Sequence, residues 1–228
     1  MTSTAPPLAT LEAEFGAALF PRGFVLSHGA PVFAPAAWIR VQLDTHIALS
    51  HDAALGVKRA DKGTASIVIL GDAYSVDLPE ADVATIAANL ARTLHRSKGA
   101  YFRSLDRLHG RFALVSRRGT DDTWHVTTDA TGMRATFFSA GARFVGSHPA
   151  LVAANTGAEP TPIAIRGYGL PGLSTGFSDV LLLPPNQELD LADGSLRRYW
   201  PRRPITPCGR RRPQTASRSS SSSPSLAY

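Results

Sequence analysis

The sequence predicts an α+β domain in which short antiparallel strands outnumber helices, and three observations carry that expectation. The stretch from Leu105 to Ala154 reads as four short strands split by Gly and Asp turns, the pattern of an antiparallel meander. Ala65 to Leu70, ASIVIL, is a near-continuous apolar run and reads as a strand buried on both faces. Between them, Pro79 to Arg96 switches to helical period, with Val83, Ile86, Ala87, Leu90 and Leu94 forming one apolar face. Strands, one long helix and then more strands suit a layered sheet-and-helix domain.

In chain order, Met1 to Pro7 is small, polar and proline-containing, the composition of a disordered terminus. Leu8, Leu11, Phe15 and Leu19 fall at helical spacing, with Thr10 available as a cap. Gly23 to His28 is a first strand. Trp38 to Leu43 alternates as a half-buried strand should, and His46 to Ser50 is its expected partner. The ASIVIL strand is expected to end at Gly71-Asp72, and Pro79 and Glu80 suit the first turn of the long helix. A polar link at Ser97 to Gly99 leads to a short helix through Phe102, Leu105 and Leu108. The strands Phe112–Val115, Trp124–Thr127, Ala135–Phe138 and Phe144–Ser147 follow, and Pro149 opens a helix containing Leu151 and Val152. Phe112, Leu114, Phe137 and Val145 are expected to share one core with Ile67 and Ile69. No internal repeat is present. The organisation is an extension over 1–22, a folded domain over 23–200, and a tail over 201–228.

Composition excludes several classes. The single Cys208 rules out a disulfide framework and any multi-thiolate zinc site within one chain. The seven His show no H-x-H or H-E-x-x-H spacing, so no metal site is expected. No apolar stretch approaches 18 residues, and no basic cluster precedes Arg22, so neither a membrane span nor a secretory signal is expected and the location reads as cytoplasmic. The net charge of +6 belongs to the tail. From Arg197 onward there are eight Arg and no acid, which leaves residues 1–196 with 16 basic and 18 acidic side chains. A nucleic-acid interface is therefore not expected. The Arg/Ser/Pro composition of the tail reads either as a disordered linker or as a GC-rich gene translated out of frame.

Specific residues carry a resemblance. Gly110-Arg111-Phe112-Ala113, Asp129 with Gly132, the pair Phe137-Phe138, and Ser147 before the helix with Leu151 resemble the glutaminase-type N-terminal half of asparagine synthetases and related amidoligases. Thr175 to Trp200 is similar to that family's closing segment, in which an L-P-P-G loop enters a hairpin with an R-Y-W exit. The resemblance implies a glutamine amidotransferase type 2-like domain over 23–200. Its implied fold is the Ntn-hydrolase-like four-layer αββα sandwich of two antiparallel sheets.

It also implies a chemistry that this chain does not complete. The family hydrolyses glutamine with an N-terminal Cys whose own α-amine is the base, and an Asn-Gly pair binds the oxyanion. Residue 2 here is Thr, and it leads into Ser3-Thr4-Ala5-Pro6-Pro7 rather than into a buried strand. The family's N-G-E-I-Y-N segment matches Leu70-Gly71-Asp72-Ala73-Tyr74-Ser75, with Leu70 in place of the amide-bearing Asn. Loss of one such donor costs on the order of a hundredfold in rate, and loss of the nucleophile removes the covalent route. No catalytic residue is therefore expected. The vestigial substrate-binding candidates are Arg59 for the glutamine carboxylate, Gly71, Asp72, and Asp82 for the amine.

The expected function is a degenerate, inactive glutaminase-like domain of an asparagine synthetase-type ATP-dependent amidoligase, like the β-lactam-forming relatives that lost the Cys. Its expected partner is a synthetase domain, and a homodimer is admissible. ATP and Mg are implied only for that synthetase domain, whose S-G-G-x-D-S loop does not occur in this chain. The alternative is a free-standing, non-catalytic ligand-binding or regulatory module on the same fold.

Overall fold

Both halves of the core are built on the strand Ala65–Ser75. In the computed structural model, which describes residues 8–119, 123–161 and 172–202, its apolar run alternates between two environments. Ile67 and Ile69 pack with Ile86, Leu90 and Leu94, whereas Val68 and Leu70 pack with Phe24, Leu26, Leu49 and Val145. Residues two apart share a face of a strand, so a continuous apolar run is what a strand covered on both sides requires.

The elements are α1 (Leu8–Phe15), β1 (Phe24–His28), β2 (Ile39–Gln42), β3 (Ile47–His51), β4 (Val57–Lys62), β5 (Ala65–Ser75), α2 (Val83–Arg96), α3 (Lys98–Leu105), β6 (Leu108–Arg117), β7 (His125–Thr128), β8 (Phe137–Ser139), β9 (Phe144–Gly146), α4 (Pro149–Thr156), β10 (Val180–Leu182), β11 (Gln187–Asp190) and β12 (Leu196–Arg198). They form two antiparallel sheets of six strands, ordered β10-β8-β9-β1-β3-β2 and β12-β11-β7-β6-β5-β4. One cluster, containing Phe24, Leu49, Leu70, Val126 and Val145, fills the space between the sheets. Helices α2 and α3 cover the far face of the second sheet, and α4 packs on β8, β9 and β10 of the first. Among the described residues no helix is long and apolar enough to cross a membrane.

The helix ends follow local chemistry. Asp82 caps α2 by accepting from the Thr85 amide at 2.8 Å, so the helix starts at Val83 rather than at Pro79-Glu80. Ser97 closes α2 and then caps α3 through Ala100 N at 3.0 Å. Pro149 opens α4, and Gly157 closes it at φ +71°. Helix α1 stops at Phe15 because Gly16 turns to φ +50°, but Phe20 continues into the cluster with Val25 and Leu151.

Several expectations need correction. The four strands after Leu105 are two hairpins in different sheets, β6–β7 and β8–β9, not one meander. The turn at Asp129 carries the chain from one sheet to the other. Strand β5 does not end at Gly71-Asp72 but stays paired with β6 as far as Ser75↔Leu108. Leu108 accordingly opens β6 instead of extending α3. The expected common core is three: Phe112, Leu114, Ile67 and Ile69 lie under the helices, Val145 lies between the sheets, and Phe137 is part-buried beside α4. The half-buried alternation expected of Trp38 to Leu43 holds for Val41 and Leu43, which reach the core, while Ile39 at the start of the edge strand β2 is 47% exposed. Met1 to Pro7 and the tail from Arg203 onward lie outside the described residues.

Candidate functional site: a cationic pocket between the sheets

Strand β1 begins at Phe24, and its first residue is tied directly to β9. The Phe24 amide donates to Ser147 Oγ at 2.9 Å, and the Ser147 amide donates back to the Phe24 carbonyl at 3.0 Å. Facing this junction are the middle of β5 and the start of β6. There Gly71 at φ +112° and Gly110 at φ +129° each lie against a carbonyl of the neighbouring strand in the antiparallel β5–β6 ladder. A Cβ on Gly71 would lie 2.4 Å from the Arg111 carbonyl oxygen, and one on Gly110 would lie 2.3 Å from that of Asp72. Only glycine serves at both positions.

That bare backbone is where Arg134 lies. Its Nη2 sits 3.1 Å from the point a Gly71 Cβ would occupy. Arg134 comes from the sheet-switching turn, which is locked by Asp129. The buried Asp129 carboxylate accepts from Thr131 N (3.1 Å), Thr131 Oγ1 (2.9 Å), Met133 N (2.9 Å) and Arg134 N (2.8 Å). Burial acts to raise its pKa, but the hydrogen bonds from Arg134, Met133 and Thr131 prevail and hold it below the ordinary carboxylate value. Its role is structural: it fixes the loop that delivers the arginine.

Arg134, Arg111 and Arg22 line one cavity of about 500 Å³ with Ser147, His148 and Phe137. Arg134 is only 6% exposed. Its Nη1 donates to the Arg22 carbonyl at 3.1 Å, while its buried Nε has no partner. Burial lowers its pKa, and the charges of Arg111 and Arg22 lower it further. It stays charged, since a guanidinium does not deprotonate in a protein. Arg22 is held at φ +52° on an Asp52 carboxylate that takes its amide at 2.5 Å. The ring of His148 packs on Phe20 at 5.1 Å, and burial followed by the Arg134 charge lowers its pKa, so it is neutral at pH 7. Its Nδ1 is 2.8 Å from Ser147 Oγ. The buried Ser147 hydroxyl also ties the strand heads, accepting from the Phe24 amide at 2.9 Å and lying 3.3 Å from the Phe24 carbonyl oxygen, to which it donates.

The anticipated site residues divide. Gly71 lies against the Arg134 guanidinium and the Asp72 charge acts on it, although neither residue lines the cavity itself. Arg59 lies on β4, where it pairs with Asp61 at 3.1 Å and donates to the Leu43 carbonyl at 3.3 Å. Asp82 is the cap of α2. Leu70 is fully buried between the sheets. The sequence reading did not single out Arg22, Arg111, Arg134 or His148, although Arg111 falls inside the Gly110-Arg111-Phe112-Ala113 motif. The available signal was weak: Arg22 precedes Gly23, Arg111 follows Gly110, and Arg134 comes two residues after Gly132.

A second cavity, of about 360 Å³, lies by His28, Asp44, Arg117 and Trp124. Its acid is already committed. Asp44 accepts from the Trp124 indole and from Arg117 at 3.0 Å, as well as from the amides of His46 and Ile47. It closes one end of the sandwich. Among the described residues no group of three or more His, Cys, Asp or Glu could hold a metal ion. The chain matches no model of a known protein family, and no curated protein matches it significantly.

Proposed function

We propose that this chain is a non-catalytic, glutaminase-like domain of asparagine synthetase-type descent, with the Ntn-hydrolase-like helix–sheet–sheet–helix layering. It would serve an ATP-dependent amidoligase as scaffold and would not hydrolyse glutamine. The observation that carries the reading is the head of β1. In the family this resembles, the nucleophile begins the first buried strand. Here that strand opens into the pocket behind Arg22-Gly23, with no thiol or hydroxyl at its head. Leu70, on the motif match, replaces an amide donor with a buried apolar side chain. Two six-stranded antiparallel sheets with helices outside them also support the reading.

The test is direct. Incubated with glutamine, the purified protein should release no ammonia above buffer background, and a glutamine-mimicking covalent inhibitor should leave its mass unchanged. Ammonia release, or a label at Thr2, overturns the reading. Descent is checked separately by translating the coding DNA beyond Trp200 in all three forward frames. An apolar-periodic helix followed by an S-G-G-x-D-S-like loop supports the amidoligase. Its absence favours the second reading, a free-standing ligand-binding module, which the cationic pocket itself favours.

A further inference from the structure

We propose that the pocket between the sheets binds a small ligand bearing a doubly charged oxyanion of the phosphate-monoester class. This goes beyond the reading above and stands on the pocket alone. The argument starts from which arginines have acids. Arg59, Arg107, Arg117 and Arg202 each form an ion pair, with Asp61, Asp77, Asp44 and Asp106. Arg22, Arg111 and Arg134 converge on one cavity and form none among the described residues. The acids nearest them offset these charges only in part: Asp52 takes the Arg22 amide, and Asp72 and Asp129 act on Arg134 without an ion pair. Asp129 is consumed by four hydrogen bonds, and Asp72 is exposed opposite Arg111 without reaching ion-pair distance.

Arg134 makes the case specific. A guanidinium that is 6% exposed and lines the cavity, bonded through Nη1 to the Arg22 carbonyl and paired with no acid among the described residues, is an unfavourable arrangement unless an anion completes it. Packing does not force the arginine into this position by accident. Gly71 and Gly110 keep the space free of side chains, and the Asp129 turn fixes the loop that carries it. The other walls agree in sign. The neutral His148 ring, its Nδ1 2.8 Å from Ser147 Oγ, adds no negative charge to the cavity. Helix α4 also begins at this wall, at Pro149, with no side-chain cap. Planar guanidiniums match the paired oxygens of phosphate, and three of them exceed what one carboxylate would balance.

The experiment is titration of the full chain with inorganic phosphate by calorimetry at constant ionic strength, with sulfate, succinate, acetate and chloride as parallel arms. The expected result is saturable binding of phosphate and sulfate and none of acetate or chloride. Arg111→Ala and Arg22→Ala, both at exposed positions, should each weaken phosphate by about tenfold or more, the effect of one charged hydrogen bond. Arg92→Ala, on the far face of α2, should leave it unchanged. The Arg-rich tail gives the same background in every variant, so this contrast isolates the pocket. The Arg134 Nε–H resonance should shift as phosphate saturates. Absence of saturable phosphate binding below about 10 mM, equal affinity in Arg111→Ala and Arg92→Ala, or binding of succinate in place of phosphate overturns the proposal. Glutamine hydrolysis by a chain that binds phosphate would overturn only the earlier reading.

Discussion

Replacing Asp129 tests how the pocket is held in place. Its carboxylate is 1% exposed and accepts four hydrogen bonds, three from main-chain amides. Asp129→Ala leaves the buried Arg134 amide without an acceptor, at about 1–3 kcal/mol. Thr131 and Met133 are exposed residues, so their amides can turn to water, and their lost bonds add about 0.5–1.5 kcal/mol each. The expected destabilisation is therefore about 2–6 kcal/mol, read as a urea midpoint lowered by about 1–2 M at unchanged slope. Asp129→Asn keeps one acceptor oxygen and should lose about half as much. The pH dependence has a definite sign. The folded-state pKa is depressed, so the carboxylate's contribution is fully present above the unfolded value of about 3.9 and is lost as pH falls through the folded one. The gap between wild type and Asp129→Asn should narrow only below about pH 4. A loss under about 1 kcal/mol for Asp129→Ala at pH 7 would mean that this carboxylate does not hold the turn.

Two further substitutions probe the core and the close β5–β6 contact. Phe112→Ala should cost about 3–5 kcal/mol in the same urea assay, toward the lower end because a cavity of about 270 Å³ already adjoins the ring; a loss under about 1 kcal/mol would mean that Phe112 is not packed beneath α2 and α3. Gly71→Ala forces a side chain to φ +112° and 2.4 Å from the Arg111 carbonyl oxygen, so a loss of about 2–4 kcal/mol is expected by urea melting. A neutral result there would show that the contact relaxes freely.

Much of the fold is written in local pattern. The helix α2 and the strand β5 are legible because each has a strong period and a buried face. The strands that escape such reading have physical reasons. Val57–Lys62 carries charge at most positions, and it can do so because it is an edge strand with an exposed face. Val180–Leu182 is three residues long and is defined by pairing with β8 rather than by its own pattern. The switch between sheets is the largest departure. Asp129 and Gly132 read correctly as a turn, but a turn's composition does not say whether the next strand joins the same sheet or crosses to the other.

The candidate site lies at that same crossing, which is why sequence places its residues poorly. Arg22 precedes the first strand, Arg111 lies in the first half of the sixth, Arg134 sits in the switch, and His148 precedes the last helix. No periodicity relates positions so far apart, and each alone looks like a solvated charge. The structure turns them into one site through two features that do have sequence traces. Glycines at 71 and 110 remove side chains from the β5–β6 ladder beside Arg134, and Asp129 fixes the loop between the sheets. Neither trace names a ligand, because both describe space and rigidity. The chemistry enters only when burial is known. An arginine in water needs no partner, whereas Arg134, 6% exposed and paired with no acid among the described residues, needs one. The same logic separates Asp82 and Arg59 from the pocket: both look like binding groups in sequence, yet one already caps a helix and the other already holds Asp61. What marks this pocket is therefore the unmet electrostatic demand of its arginines, not the presence of charge.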